Sequence, residues 1–309
     1  MPTLPSPLKR ALLPIWNRGH QLARRLAEYA DAFRHRRIQR CEVCGRLAPM
    51  LLRPRAIPDE LRRRWGLTPG LADALVRKET LDCAACGAKL RARRIARVLL
   101  ELYPTGSPPG PAPSLAVWAA SPEARRLRIA EINTIDGLHA VLSGLPGLVA
   151  SDFHEPGQPQ TTGVRHEDLA ALSYQDASFD LVLTSETLEH VPDLPRALAE
   201  IRRILTPEGR HVFTIPVLPS TPSTFARARL GPDGSFLPLA PFIAHPGGDR
   251  GYPVFTEFGA DLPDLMRAAG FDLDVHHGPN SPDDLAQVYV ATPIHRSNVR
   301  RSDETPASI

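Results

Sequence analysis

No apolar run in this sequence approaches the ~20 residues that a membrane-spanning helix needs. The N-terminus has no apolar core of a secretion signal either: Ala11–Trp16 is short and Pro14 interrupts it. Cysteine is scarce, and all four copies fall in two Cys-x-x-Cys pairs. With no export signal, the expectation is a soluble cytoplasmic protein. Thiols stay reduced there, so the pairs read as metal ligands and not as disulfides. No internal repeat is visible, and a solenoid or propeller is not expected. Acidic residues are few in the first hundred positions, 8 Asp and Glu against 22 Lys and Arg, whereas residues 101–309 carry 26 against 15. Opposite charge in the two segments predicts two modules. They either pack on one another, or the basic one meets an anionic partner: nucleic acid, a phosphorylated glycan precursor or a membrane surface.

At 309 residues with 42% hydrophobic content, the chain is long enough for two packed domains. Its 33 prolines cluster in places such as 104–113, PTGSPPGPAP, which cannot be regular structure. The composition shifts suggest five spans. Residues 1–40 form a basic amphipathic helical segment, 41–103 a four-cysteine module, 104–125 a Pro-rich linker, 126–295 the main domain and 296–309 a disordered tail. Leu22, Leu26, Tyr29 and Phe33 recur at helical spacing with Arg on the other face. Such a helix packs its stripe on the cysteine module, or lies on a membrane or RNA.

Cys41, Cys44, Cys83 and Cys86 form two knuckles, each followed by Gly, around a 38-residue excursion from Gly45 to Asp82. Four sulfurs suit a closed tetrahedral zinc site, which has no open position for catalysis and is therefore structural. A helix such as 58–65 can fill the excursion. Arg91, Arg93, Arg94 and Arg97 follow the second knuckle, either as candidate contacts to an anion or as a solvated helix face.

From about Leu127, short apolar runs alternate with helical stretches. Strands are expected at 127–132, 148–151, 179–184 and 210–215, and helices at 137–145, 194–205 and 261–269. A closing strand pair is expected at 271–275 and 286–292. This alternation means an α/β fold, a mostly parallel sheet with helices on both faces. Ligands of such sheets bind at the carboxyl ends of the strands. There the sequence places Glu131 and the stretch Ile132–Gly137, then Asp152 and Phe153, then Asp168 and Leu169, then Ser185 and Glu186.

The segment HEDLAALSYQDASFDLVLTSETLEHVPDLPRALAEIRRILTPEGRHVFTIP, residues 166–216, resembles class I S-adenosylmethionine-dependent methyltransferases of the ubiquinone-biosynthesis-like type. The resemblance extends more weakly over about 127–292. It implies a Rossmann-like methyltransferase fold with seven strands and S-adenosylmethionine as methyl donor. Asp152 would accept from the donor's ribose hydroxyls, with Phe153 beside it. Asp168 would accept from the adenine amine, with Leu169 against the ring. Glu131 would lie near the donor's amino-acid part, and Ser185 and Glu186 would face the sulfonium. The family's glycine-rich turn has Asn133, Ile135 and Gly137 here. Asn tolerates a left-handed backbone, but Ile135 stands where close approach to the donor is expected.

Glu186, Glu189 and His190 match an E-x-x-E-H motif in relatives, some with a further histidine, for which His245 is the candidate. Together they would bind Mg²⁺ and acidify an acceptor hydroxyl. Alternatively, Glu189 and His190 cap a turn, or one histidine acts as general base. The expected reaction is methyl transfer to O or N of a small molecule or glycan intermediate. RNA methylation through the basic module, or a scaffold without donor binding, are the alternatives. His139, His154, His276 and His277 read as ordinary loop or core residues. The insert 217–252 would cover the acceptor side.

Overall fold

The computed structural model describes residues 21–53, 57, 59–154, 162–217, 220–245, 251–278 and 285–294. The expected tail 296–309 and the first part of the N-terminal segment lie outside the described residues. The cysteine module opens with helix α1 (21–34), followed by β1 (Ile38–Arg40) and β2 (Leu47–Leu52). Within the excursion lie helices α2 (Asp59–Arg64) and α3 (Pro69–Thr80). Thr68 caps α3 by accepting from the Leu71 amide, and Pro69 fits the first turn, where no amide partner is needed. Strand β3 (Leu81–Cys83) then completes an antiparallel three-stranded sheet in the order β1-β2-β3.

Helix α4 (Leu90–Leu102) leads from the second knuckle into the main domain. After the irregular stretch 104–113 comes α5 (Leu115–Ala119), capped by Ser114. The linker expected over 104–125 is thus only half irregular: Leu115 and Trp118 are fully buried, because each has apolar neighbours on α4 and the sheet to meet.

The main sheet uses β4 (Ile129–Ile132), β5 (Leu148–Asp152), β6 (Val164–His166), β7 (Phe179–Ser185) and β8 (Leu205–Thr214). Helices α6 (His139–Leu142) and α7 (Leu194–Ile204) connect them. A long insert then carries the two- and three-residue strands β9 (Phe225–Ala226), β10 (Ala228–Leu230), β11 (Phe236–Pro238), β12 (Ala244–His245), β13 (Tyr252–Pro253) and β14 (Thr256–Glu257). Helix α8 (Leu262–Ala268) returns to β15 (Phe271–His276) and β16 (Val288–Pro293). The order is β15-β16-β8-β7-β4-β5-β6; β4 to β8 are parallel, and β16 runs antiparallel to both neighbours. This is the expected seven-stranded, mostly parallel sheet with its antiparallel closing pair.

Alternation along the strands sorts the core into two layers. Ile129, Leu181, Leu183, Val212, Val288 and Val290 face α4, α5 and α6, in one cluster with Cys41, Val43, Ile95, Leu99 and Trp118. Ala130, Ile132, Val182, Phe213, Tyr289 and Ala291 face α7 and α8. The cysteine module therefore does not hang from a linker. Through α4 it forms one face of the sheet's own core.

One expectation about the basic module is overturned. The stripe on α1 does not pack on the cysteine knuckles: Leu22, Leu26 and Phe33 are about 60% exposed, and the helix turns in by Ala32 instead. Three of the arginines expected to meet an anion are partnered within the chain. Arg91 pairs with Glu79, Arg93 is buried against Glu42 (2.7 Å) and the Met50 sulfur, and Arg97 pairs with Glu101. No described helix is long and apolar enough to cross a membrane.

Candidate active site and metal centres

The tips of β4, β5 and β7 converge on the turn 132–137. Asn133 takes the left-handed backbone at φ +61°, which Asn tolerates better than most residues. Its amide group spans the site, donating to Thr187 Oγ1 (3.2 Å) and accepting from the Phe153 amide (3.4 Å). The Thr134 amide donates to Asp152 Oδ1 at 2.7 Å. Glu131 is fully buried beneath the turn; it accepts from the Ile135 amide (3.0 Å) and faces His139 Nδ1 at 2.6 Å. Burial pushes the Glu131 carboxyl up, against the pull of His139 and the Ile135 amide. His139 is thus the partner of a buried acid and not an ordinary loop residue.

Ile135 points away from the strand tips. It is 3% exposed and packs in the α4–α6 core with Ala88 and Leu138. The glycine missing at this position is replaced by a side chain that fastens the turn from behind. Gly137, at φ +71°, is needed for another reason: a Cβ there would lie 2.7 Å from the Ala88 Cα of the second knuckle. Its space is taken by the cysteine module and not left for a donor molecule.

Asp152 and Asp168 end neighbouring strands, joined by the Glu167 amide donating to the Asp152 carbonyl. Asp168 is exposed and accepts from the Ala170 amide (2.9 Å). Phe153 is 57% exposed, its ring 5.4 Å from that of His166. Leu169, by contrast, is buried in the core under α7, a placement that differs from a ring-facing role. Ser185 Oγ meets Thr214 Oγ1 at 2.8 Å.

The E-x-x-E-H motif divides in two. Glu186, at φ +51°, reaches Lys78 of α3, whose Nζ lies 2.9 Å from each carboxylate oxygen. Burial opposes its charge, but Lys78 and Arg91 hold Glu186 below the ordinary carboxylate range. Glu189, His190 and His245 meet one another instead. His190 Nε2 and His245 Nδ1 lie 3.7 and 3.6 Å from Glu189 Oε1, and 3.2 Å from each other. Glu189 is fully buried, and neither carboxylate oxygen has a hydrogen-bond donor. Burial and the nearby Glu186 push its carboxyl well above the ordinary range. The capping alternative for its side chain finds no such bond.

His190 Nδ1 lies 2.7 Å from the Pro253 carbonyl. A carbonyl only accepts, so Nδ1 carries the proton and Nε2 turns its lone pair to Glu189. Burial lowers the pKa of both imidazoles, His245 to about 4. Two neutral imidazoles and a carboxyl group thus offer three ligand atoms that could hold a metal ion. An orphaned buried carboxylate fits that reading.

The four cysteine sulfurs also cluster, all within 4.8 Å of one another. Cys41 and Cys86 Sγ are 3.7 Å apart, close to the ~3.8 Å edge of a zinc tetrahedron with 2.3 Å bonds. The Cys86 thiol beside it lowers Cys41 to about 5, while burial raises Cys83.

Sequence reasoning missed Lys78, Thr187 and Trp65. Trp65, from the excursion, lines a small cavity with Ile243, His245, Val254 and Glu257. Lys78 sits in an ordinary stretch, Arg77-Lys78-Glu79-Thr80, with no spacing to distinguish it. Only its burial at 1% exposure does.

Residues 147–213 match the methyltransferase domain family. A probable S-adenosylmethionine-dependent methyltransferase of Mycolicibacterium smegmatis is 33% identical over 139 residues, 44% of this chain and 46% of that protein. The ubiquinone biosynthesis O-methyltransferase of Xanthomonas euvesicatoria is 36% identical over 110 residues, 35% of this chain and 41% of the relative. The chain thus spans less than half the length of these relatives. Among solved structures, Burkholderia thailandensis 1,6-didemethyltoxoflavin-N1-methyltransferase with bound S-adenosylhomocysteine is similar at TM-score 0.35 and 19% identity, over 82% of this chain and 97% of that one. The matched segment runs through β5 to β8 of the seven-stranded sheet, and there the chain is similar to the methyltransferase domain family.

Proposed function

We propose that this protein moves a methyl group from S-adenosylmethionine to a hydroxyl oxygen of a small-molecule acceptor. The observation that carries the choice of oxygen is the buried, unpartnered Glu189 carboxylate facing two neutral imidazoles. A divalent cation held by Glu189, His190 and His245 would acidify an acceptor hydroxyl. The relatives named for O-methyl transfer support the same acceptor atom. The acceptor oxygen attacks the methyl carbon, the carbon–sulfur bond breaks, and neutral S-adenosylhomocysteine leaves. The hydroxyl proton would pass to water, because the free lone pairs of His190 and His245 would be taken by the cation.

Around the donor, Asp152 and Asp168 would accept from ribose hydroxyls and the adenine amine. Asp152 is oriented by the Thr134 amide, and Phe153 lies open beside it. Asn133 and Glu131 fix the turn that the amino-acid part would meet. Catalysis would rest mainly on alignment and proton removal. The four cysteines would hold a structural zinc, and loss of Cys44 or Cys86 would release it.

Calorimetric titration of the metal-loaded protein with S-adenosylmethionine tests the donor half. The expected result is saturable binding, weakened at least tenfold in Asp152→Ala. No heat and no thermal shift at high ligand would favour a scaffold without activity. Manganese binding lost in Glu189→Gln, with donor binding kept, tests the acceptor half.

A further inference from the structure

The cysteine module touches the methyltransferase turn in three ways. Ala88, two residues past Cys86, fills the space at Gly137. Lys89 Nζ pairs with Asp136 Oδ2 at 2.6 Å, and Arg91 Nη2 lies 3.9 Å from the same oxygen. Ile135 is held in the core that Ala88 and α4 build with the knuckles. So all three consecutive residues of the turn, Ile135, Asp136 and Gly137, are set by the segment 88–91. In the related family, glycines leave such a turn free to approach its ligand. Here the turn is shaped from outside.

We infer that metal in the four-cysteine site and methyl donor in the turn are energetically coupled: filling the cysteines raises donor affinity, and the donor raises metal affinity. The inference rests on the methyltransferase reading. The physical path is short. The Cys83–Cys86 knuckle continues directly into Ala88 and Lys89. The Cys83 amide donates to the Ala88 carbonyl, and the Gly87 amide to the Cys83 carbonyl. A metal that fixes Cys83 and Cys86 fixes Ala88, and Ala88 abuts Gly137 by backbone, where no side chain can relax to fill a gap. Release of the metal frees the abutment, and the turn loses the surface that holds Asn133 left-handed and Thr134 against Asp152. By linkage the factor is the same in both directions.

The test compares zinc affinity, measured by competition with a chromophoric chelator, with and without saturating S-adenosylhomocysteine. Donor-product binding to the zinc-loaded protein is measured first by calorimetry. The expected result is tighter zinc in the presence of S-adenosylhomocysteine, by fivefold or more. Zinc affinity that does not change, in protein that does bind S-adenosylhomocysteine, overturns the inference. Absence of S-adenosylhomocysteine binding to loaded protein defeats the methyltransferase reading itself, which is a different result. Coupling through global unfolding of the stripped chain is separated by Asp136→Ala. That variant keeps every cysteine and loses the pairing with Lys89 and Arg91. Coupling through the contact shrinks in it, with zinc affinity in the absence of ligand unchanged. Coupling that persists undiminished in Asp136→Ala counts against the Lys89 and Arg91 pairs as part of its path.

Discussion

His211 on β8 is fully buried, its Nε2 2.9 Å from Thr184 Oγ1 and its ring stacked on Phe213. Burial lowers its pKa to about 3, whereas an unfolded histidine protonates near ~6.5. Between those values the unfolded chain binds the extra proton, so stability falls as pH falls from ~6.5, at up to about 1.4 kcal/mol per unit. Above ~6.5 the residue costs nothing. From pH 7 to pH 5 this group should remove about 2 kcal/mol from the urea-unfolding free energy. His211→Gln should flatten that limb, and an unchanged slope would contradict the assignment. Ile135 offers a second test. Restoring the family's glycine there should not help donor binding; it empties a core site and should cost about 4 kcal/mol in denaturant melts. A loss below about 1 kcal/mol would mean the side chain is not packed as described. At this scale the sequence marked the acids at the strand tips, because position at a strand end is a local property. It could not mark Lys78, or explain Ile135 and Gly137, since their reasons lie across the interface with another module.

Elements were legible where a local signal starts or ends them. Helix α7 has Asp193 at its N-cap, accepting from the Arg196 amide at 3.1 Å, and Pro195 in its first turn. Asp193→Ala should therefore lower stability by about 1 kcal/mol, read as a shift of the thermal midpoint at constant pH. An unshifted midpoint would leave the cap without weight. Strands β7 and β8 and the pair β15–β16 were readable from apolar runs. The small strands β1 to β3 were not: the three-residue β1 and β3 carry no period, and β2, LAPMLL, does not alternate apolar with polar residues. Helix α4 was seen only as a string of arginines. Its apolar positions Ile95, Val98 and Leu99 are the half that matters to the fold. The stripe on α1 shows the converse: correct periodicity does not say what, if anything, covers the face.

For the whole molecule, the consequence of a shared core is a change in what counts as a domain. The proline cluster at 104–113 invites a cut, and a chain starting at residue 104 would keep every strand of the seven-stranded sheet. Yet α4 would be gone, and with it Ile95, Leu99 and Leu100, which lie in one cluster with Leu181, Val212, Val288 and Val290. Uncovering those sheet residues exposes apolar surface that a parallel sheet needs buried on both faces. The fragment from 104 should be insoluble, or soluble with strong binding of a hydrophobic dye and no sharp thermal transition. The intact chain should unfold in one cooperative step seen alike by zinc release and by loss of helix signal. Two separated transitions, with the fragment from 104 folding sharply by itself, would restore the picture of two modules on a linker. The opposite net charges of the two segments then take on their plain reading. Lys78 with Glu186 and Lys89 with Asp136 are pairs across the boundary, so part of the basic module's charge is met by the acidic half of its own chain.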